Sequence, residues 1–276
     1  MKIGFPFFLS LVFLSAKIAN AQSSSTLMGA RAAGMGNASS TLSDEWSLYS
    51  NVGGLANVNK PNAAFAYEVQ PALAGANRIA ASVMTPAKFG TLSVGFFKFG
   101  DDLYSEQLAS IGFGNRIGNT ALGAKLNYVQ YRAEGFGTST ALSVDFGGIT
   151  ALTKTISLGA YITNLTQTKL MGSNGQRLPT RMVAGLGFRP SENVFLATEI
   201  EKDLAYPATW RSGLEYAVYK KIFFRTGFNL NPNVFYFGIG GQKKNLKVDY
   251  ALRLGQWLGA AHQASLVYAF TTTRKK

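Results

Sequence analysis

From residue 61 onward, apolar and polar side chains alternate in one short segment after another. Val248, Tyr250, Leu252 and Leu254 interleave with Lys247, Asp249, Ala251 and Arg253. Ile222, Phe224, Thr226, Phe228 and Leu230 interleave with Phe223, Arg225, Gly227 and Asn229. Trp210, Leu214, Tyr216 and Val218 do the same with Arg211, Gly213, Glu215 and Ala217. A period of two is that of a β-strand, whose successive side chains point to opposite faces. About fourteen such segments can be counted, near 61–69, 77–85, 90–98, 106–116, 120–131, 139–150, 155–163, 180–189, 193–201, 208–218, 222–230, 234–241, 246–254 and 262–270. Segments of about ten residues suit tilted strands that cross a bilayer.

The connections carry a second signal. One alternate set is short: TPAK (85–88), IGN (117–119), LTK (152–154), PSE (190–192), YKK (219–221) and QKKN (242–245). The other set reads longer: GDDLYSE (100–106), RAEGFGT (132–138), TQTKLMGSNGQRLP (166–179), KDLAYP (202–207) and GQWLGAA (255–261), with NPN (231–233) as the exception. Tight turns on one side and longer loops on the other predict a closed, even-stranded barrel with its N-terminus at the periplasmic face. Ala264, Leu266, Tyr268 and Phe270 share one face of the last segment, as the aromatic-ended final strand of an outer-membrane barrel does.

If the apolar face meets lipid, the polar face lines the lumen. Lys125, Arg181, Glu199, Glu201, Arg211, Glu215, Arg225, Lys247, Asp249 and Arg253 then point inward. A Lys or Arg placed on the lipid face near the midplane costs about 2–4 kcal/mol, which fixes the register. Mixed signs allow pairing across the lumen; bracing of the barrel and a functional polar path are both open. The basic turns at Lys220, Lys221, Lys243 and Lys244 leave solvation, anionic headgroups and periplasmic partners open.

The N-terminus reads as a targeting segment. Lys2 precedes an apolar run from Ile3 to Ala16, too short to span a bilayer, and Ala19-Asn20-Ala21 is a small-x-small cleavage site. A signal peptide over 1–21 is expected, and with Lys2 and Lys17 gone the net charge falls from +13 to +11. In an exported chain that charge points to anionic lipid or lipopolysaccharide rather than nucleic acid. The chain has no cysteine and one histidine, so neither a disulfide framework nor a metal cluster is expected, and no cofactor motif is present. The glycines at 238–241 follow no dinucleotide pattern and predict close packing or a bend. Asn164-Leu165-Thr166 has the form of a glycosylation sequon.

Residues 22–60 do not alternate. Gly29, Gly34 and Gly36 suit bends and close backbone approach. Ser43-Asp44-Glu45 is placed to cap a short helix through Trp46 and Tyr49, which Gly53 and Gly54 would end. A barrel of this size is wider than its side chains fill. The expected organisation is therefore a signal (1–21), a plug (22–60), a barrel (61–270) and a basic tail (271–276).

The stretch GARAAGMGNASSTLSDEWSLYSNVGGLA resembles the N-terminal signature of the PorV/PorQ family, relatives of the FadL-type fatty-acid channels. That signature runs roughly GARAxGMGGA, then acidic residues, an aromatic and NPAGLA. Arg31, Gly34, Met35, Gly36, Asp44, Tyr49, Asn51, Gly54, Leu55 and Ala56 match it, while Val52 and Gly53 stand where the family has Pro and Ala. The resemblance implies a FadL-like barrel with an N-terminal plug in a Bacteroidota-type outer membrane. It also implies an accessory role in type IX protein secretion, with a translocon or cargo protein as partner. The alternative it carries is uptake of hydrophobic small molecules, to which Phe195 and Phe223 on the lumen face would contribute. A lipid hydrolase is disfavoured: His262 and Ser265 lie three residues apart, hence on opposite faces of a strand.

Overall fold

The computed structural model describes residues 25–172, 175–256 and 258–271. The expected signal peptide lies outside the described residues, as does the expected basic tail apart from Thr271. Fourteen antiparallel strands close into one barrel. They are β1 (Asn62–Val69), β2 (Arg78–Ala87), β3 (Gly90–Gly100), β4 (Tyr104–Ile117), β5 (Thr120–Ala133), β6 (Gly137–Ala151), β7 (Ile156–Thr163), β8 (Arg181–Ser191), β9 (Val194–Asp203), β10 (Thr209–Val218), β11 (Ile222–Leu230), β12 (Val234–Lys243), β13 (Leu246–Gly255) and β14 (Gly259–Ala269). Each pairs with its sequence neighbours, and β14 returns to β1 with Asn62 opposite Ala269 and Val69 opposite His262. Closure pairs every strand on both sides, except where β6 extends past the end of β7.

The faces follow the alternation. Leu126, Tyr128, Phe237, Ile239, Val248 and Tyr250 are exposed outward, while Lys125, Asn127, Arg225 and Asp249 are buried inward. A wall that is apolar outside and polar inside matches hydrocarbon as the outer solvent.

The connections depart from expectation at one end. At the short-turn end, two to four residues join β2–β3, β4–β5, β6–β7, β8–β9, β10–β11 and β12–β13. At the other end, most of 100–106 and 132–138 is strand rather than loop. The ladder simply continues, pairing Gly100 with Ser105 and Ala133 with Gly137. Strands β4, β5 and β6 reach 14, 14 and 15 residues and extend past their neighbours. The connections that stay long at this end are 70–77, 204–208 and above all 164–180.

Residues 25–58 fold inside the barrel. They comprise α1 (Ala30–Gly34) and two 3-10 turns, Ser47–Tyr49 and Val52–Asn57. The capped helix through Trp46 and Tyr49 is not formed. Asp44 accepts the Trp46 N–H at 2.9 Å and donates its own N–H to Ser47 at 3.1 Å, which tightens the chain into a single turn. Gly53 and Gly54 do not end that turn. Asn51 accepts the Gly53 N–H at 3.1 Å and starts a second turn that contains both glycines. Gly36 takes a left-handed φ of 68°, which turns the chain out of α1.

The plug rests on a girdle of inward-facing glycines. Gly34 of α1 meets Gly238 of β12, where a Cβ would stand 2.9 Å from the opposing Cα. Met35 and Gly36 press on Gly213 and Gly227, Ser40 on Gly159 and Gly185, and Thr41 on Gly187. Asn51 meets Gly147, Val52 meets Gly123, Leu55 meets Gly114 and Leu48 meets Gly95. A Cβ at Gly114 would lie 2.7 Å from the Ala56 nitrogen, and one at Gly95 2.6 Å from the Tyr49 hydroxyl. The plug can touch the wall around most of its circumference only because the wall has no side chains there.

Candidate functional site

The plug is held to β8–β13 by charge. Arg31 makes a bidentate pair with Glu215, at 2.9 Å from Nε and 2.7 Å from Nη2, and reaches Asp44 at 3.2 Å. Glu215 also accepts from Arg225 at 2.7 Å, and Arg225 donates onward to Asp249 at 2.8 Å. One chain of alternating charge thus runs from the plug through β10 and β11 to β13. Beside it, Glu199 accepts the N–H groups of Ser39 and Ser40 at 2.9 and 2.7 Å. Arg211 bridges Glu199 at 3.2 Å and Glu201 at 2.8 Å, so the two glutamates form ion pairs rather than a carboxylate dyad. Lys247 reaches Glu45 of the plug at 3.3 Å. Arg181 pairs with Asp203 at 3.2 Å nearer the long-loop end.

The plug-motif residues are brought together with these groups. Met35 is fully buried between β10 and β11. Tyr49 places its hydroxyl 2.6 Å from the Ala81 carbonyl oxygen and 2.8 Å from that of Phe96. Asn51 donates to Ser40 at 2.6 Å and to Gly148 at 2.9 Å, tying the plug to β6. Gly54 faces Leu42 and Ser47 within the plug itself.

The β1–β6 side is built differently. Met28, Trp46, Leu48, Val52 and Leu55 of the plug pack with Ala66, Ala80, Met84, Phe97, Leu108 and Val129 of the wall in one apolar cluster. The cluster continues upward through Leu178 and Leu170 to the half-buried Phe99 and Tyr131. There it meets a cavity of about 690 Å³ at the long-loop end. Leu73, Phe99, Tyr131, Phe136, Leu170 and Leu258 give this vestibule apolar walls. Its polar lining includes Glu68, which accepts from Arg78 at 3.0 Å and from Gln263 at 2.7 Å. Arg253 lies 3.9 Å from Glu68 and also donates to Gln70. At the short-turn end two cavities of about 280 and 380 Å³ flank Arg31 and Ser43. They share no lining residue with the vestibule, so the plug stands between the two mouths.

Between β6 and β7 a loop does the work of a strand. β7 stops at Thr163, while β6 continues from Phe146 up to Gly137. The described residues of the β7–β8 connection, 164–172 and 175–180, here termed the strap, close the resulting gap. Its Leu165 N–H donates to Val144 at 2.8 Å, and Thr140 and Met171 exchange backbone hydrogen bonds of 3.2 and 2.8 Å. Leu170 and Leu178 of the strap are the residues that enter the lumen cluster. Behind the strap lies a small cavity of about 70 Å³ lined by Val129, Asp145 and Leu178. Outside and below it, the neighbouring small residues Gly148, Ala160 and Ala184 floor an apolar groove of about 690 Å³, edged by Phe146, Ile162 and Met182.

Lys125 links these parts. Its ammonium donates to the Leu48 carbonyl of the plug at 2.9 Å and pairs with Asp145 at 3.0 Å. Asp145 in turn accepts the Asn164 N–H, at the root of the strap, at 2.8 Å. Asn164 is buried, and its amide donates to Leu178 and Thr180. The sequon asparagine is therefore a brace of the strap. Alternation would have found Glu68 and Asp145, since both fall on inward positions. Nothing local marks Ser39 and Ser40 as partners of Glu199, because that contact is made by backbone N–H groups.

Four further residues fall away from the vestibule. Phe195 and Phe223 do face inward, but at the short-turn end, where Arg189 and Arg225 lie over their rings. His262 faces outward and shares a 2.6 Å hydrogen bond with Tyr250, while Ser265 faces inward and accepts the Ala30 N–H at 3.2 Å.

No family model and no curated protein matches the sequence. Solved structures match its shape. The Pseudomonas putida toluene transporter TodX superposes with a TM-score of 0.67 at 13% identity, covering 87% of this chain and 96% of that one. The Ralstonia pickettii toluene transporter TbuX gives 0.64 at 11%, covering 90% and 99%. A Pseudomonas aeruginosa FadL homologue gives 0.60 at 10%, covering 90% and 100%. At these identities the likeness is one of fold. The closed barrel fold that the sequence resemblance implied is the part these structures share.

Proposed function

We propose that this chain is an outer-membrane channel that admits small hydrophobic molecules, with its short turns in the periplasm and the vestibule facing outward. The observation that carries this reading is the apolar cluster that starts at the vestibule floor and runs down one side of the lumen. An apolar molecule leaving water gains about 25 cal/mol for each Å² it buries, and below the charged vestibule groups Glu68, Glu106, Arg132 and Arg253 this side offers apolar surface as far as Lys125. The names of the similar solved structures, toluene transporters and a FadL homologue, point the same way. The secretion-accessory reading draws no support from them, and we do not adopt it.

The plug bars the axial route, so the exit we infer is lateral. A molecule passes from the vestibule behind the strap, displaces Leu170 and Leu178, and emerges into the groove over Gly148, Ala160 and Ala184. The strap is the weakest closure of the wall because a few hydrogen bonds replace a full ladder. The test is uptake of a fluorescent hydrophobic probe by liposomes holding the purified barrel. Saturable entry above protein-free liposomes is expected; entry no faster than through lipid alone overturns the reading.

A further inference from the structure

Cations gather at the short-turn mouth of the lumen. Arg116 near the end of β4, Lys154 between β6 and β7, and Arg189 near the end of β8 line the cavity of about 280 Å³ there. Arg31, Thr41 and Ser43 of the plug line it too, so plug and wall share the site. No Asp or Glu is among its described lining residues. Among the described residues, Arg116, Lys154 and Arg189 form no ion pair. Glu192, three residues on from Arg189, is held by Lys220 at 2.6 Å, while Glu215 and Asp44 are taken by Arg31.

These groups stand on the inner side of the wall. Gly114, two residues before Arg116, and Gly187, two before Arg189, both face the plug. The Arg189 guanidinium lies 4.6 Å from the ring centroid of the buried Phe195. The cavity therefore opens to the aqueous mouth and not to lipid. Thr41 gives a second, independent sign. It is 7% exposed, its hydroxyl has no hydrogen-bond partner, and a Cβ at Gly187 would lie 2.6 Å from its Oγ1. A buried donor left unpaired is costly, and this one calls for an acceptor. Ser43 accepts from the Asn57 amide at 2.9 Å, which leaves its own O–H to donate. Three cations without carboxylates, with hydroxyl donors beside them in a recess, select an anion of more than one charge and several acceptor oxygens. A phosphate monoester carries a charge of about −1.5 to −2 and three such oxygens, and its geometry matches the guanidinium fork. A carboxylate offers about half that charge. The cavity also exceeds the roughly 30 Å³ of one water molecule severalfold, which leaves room for a small organic substituent.

We propose that this cavity is a binding site for a small soluble phosphate, either the inorganic ion or a monoester, which bridges Arg31 and Thr41 of the plug to Arg116, Lys154 and Arg189 of the wall. The inference rests on the seating of the plug and is independent of what passes through the lumen.

Isothermal titration calorimetry of the full-length mature protein in neutral detergent, at constant ionic strength, provides the test. The probes are inorganic phosphate, glycerol 3-phosphate and acetate. Saturable binding of both phosphates is expected, with acetate weaker than either. Tighter binding of glycerol 3-phosphate assigns the site to a monoester, and tighter binding of inorganic phosphate assigns it to the free ion. R116Q/R189Q removes two charged donors and should weaken binding about tenfold or more, while T41V should weaken it about two- to tenfold. K221Q/K243Q, at the same end but outside the cavity, should leave it unchanged. Phosphate should also raise the melting temperature of the wild type, because it binds the folded state alone. No saturable binding of either phosphate, acetate binding as tightly as they do, or an affinity that R116Q/R189Q leaves intact overturns the proposal. The wild-type titrations decide the matter even if a variant does not fold.

Discussion

On the β8–β13 side, arginines and carboxylates hold the plug; on the β1–β6 side, methionine, leucine and tryptophan do. The first contact is strong only while every charge keeps its partner: Arg225 lies between Glu215 and Asp249, and Arg31 between Glu215 and Asp44. The second is mostly non-directional packing that survives rearrangement, with the hydrogen bonds of Tyr49, Asn51 and Lys125 as its fixed points. A side of the lumen built from fixed pairs suits an anchor. A side built from apolar packing, with a loop in place of a strand above it, suits a path that opens and recloses. The difference teaches that the plug need not leave the barrel for a small molecule to pass.

The comparison can be broken from the charged side first. R225M leaves two buried carboxylates without their shared cation, and a loss of about 3–5 kcal/mol is expected. Thermal unfolding in detergent measures it. On the apolar side, L178A removes a buried side chain of the strap at a cost of about 2–5 kcal/mol. That cost falls on local opening, so probe uptake should become faster while the barrel's melting temperature moves less than in R225M. A smaller effect joins the two regions. If Lys125 and Asp145 transmit between plug and strap, K125M and N164A should be non-additive in uptake and stability, by about 0.5–3 kcal/mol in a double-mutant cycle. Simple additivity would separate plug from strap. The smallest effect expected is none: a disulfide between A33C and A251C, which pack together in the wall contact of α1, should leave uptake unchanged.

Much of this architecture was legible in the chain. The period-two pattern placed all fourteen strands within three residues of their ends, because a register error would have put charges such as Arg225 and Asp249 into lipid. The loops were harder. Polar residues at 100–106 and 132–138 look like turn formers, yet backbone pairing continues through them. The strap read as a long loop, but its substitution for a strand depends on where β7 stops, which side-chain pattern does not encode. Least legible was the glycine girdle. Gly95, Gly123, Gly147, Gly159, Gly213 and Gly227 are each only a weak strand residue until closure brings them against one plug. The inward charges were predictable as a set, but not their pairing with Ser39 and Ser40 or with Leu48, since backbone atoms have no sequence signature.

The most direct test of the lateral path fixes the strap to the wall. Thr140 and Met171 are directly opposed across an antiparallel bridge, a spacing of about 5.5 Å between Cα atoms that a disulfide can span. Uptake of the hydrophobic probe by liposomes carrying T140C/M171C should fall to the protein-free rate when oxidised and recover with reductant. Equal uptake in the oxidised and reduced states, with the cross-link verified by mass spectrometry, would contradict the account and return the path to the plug.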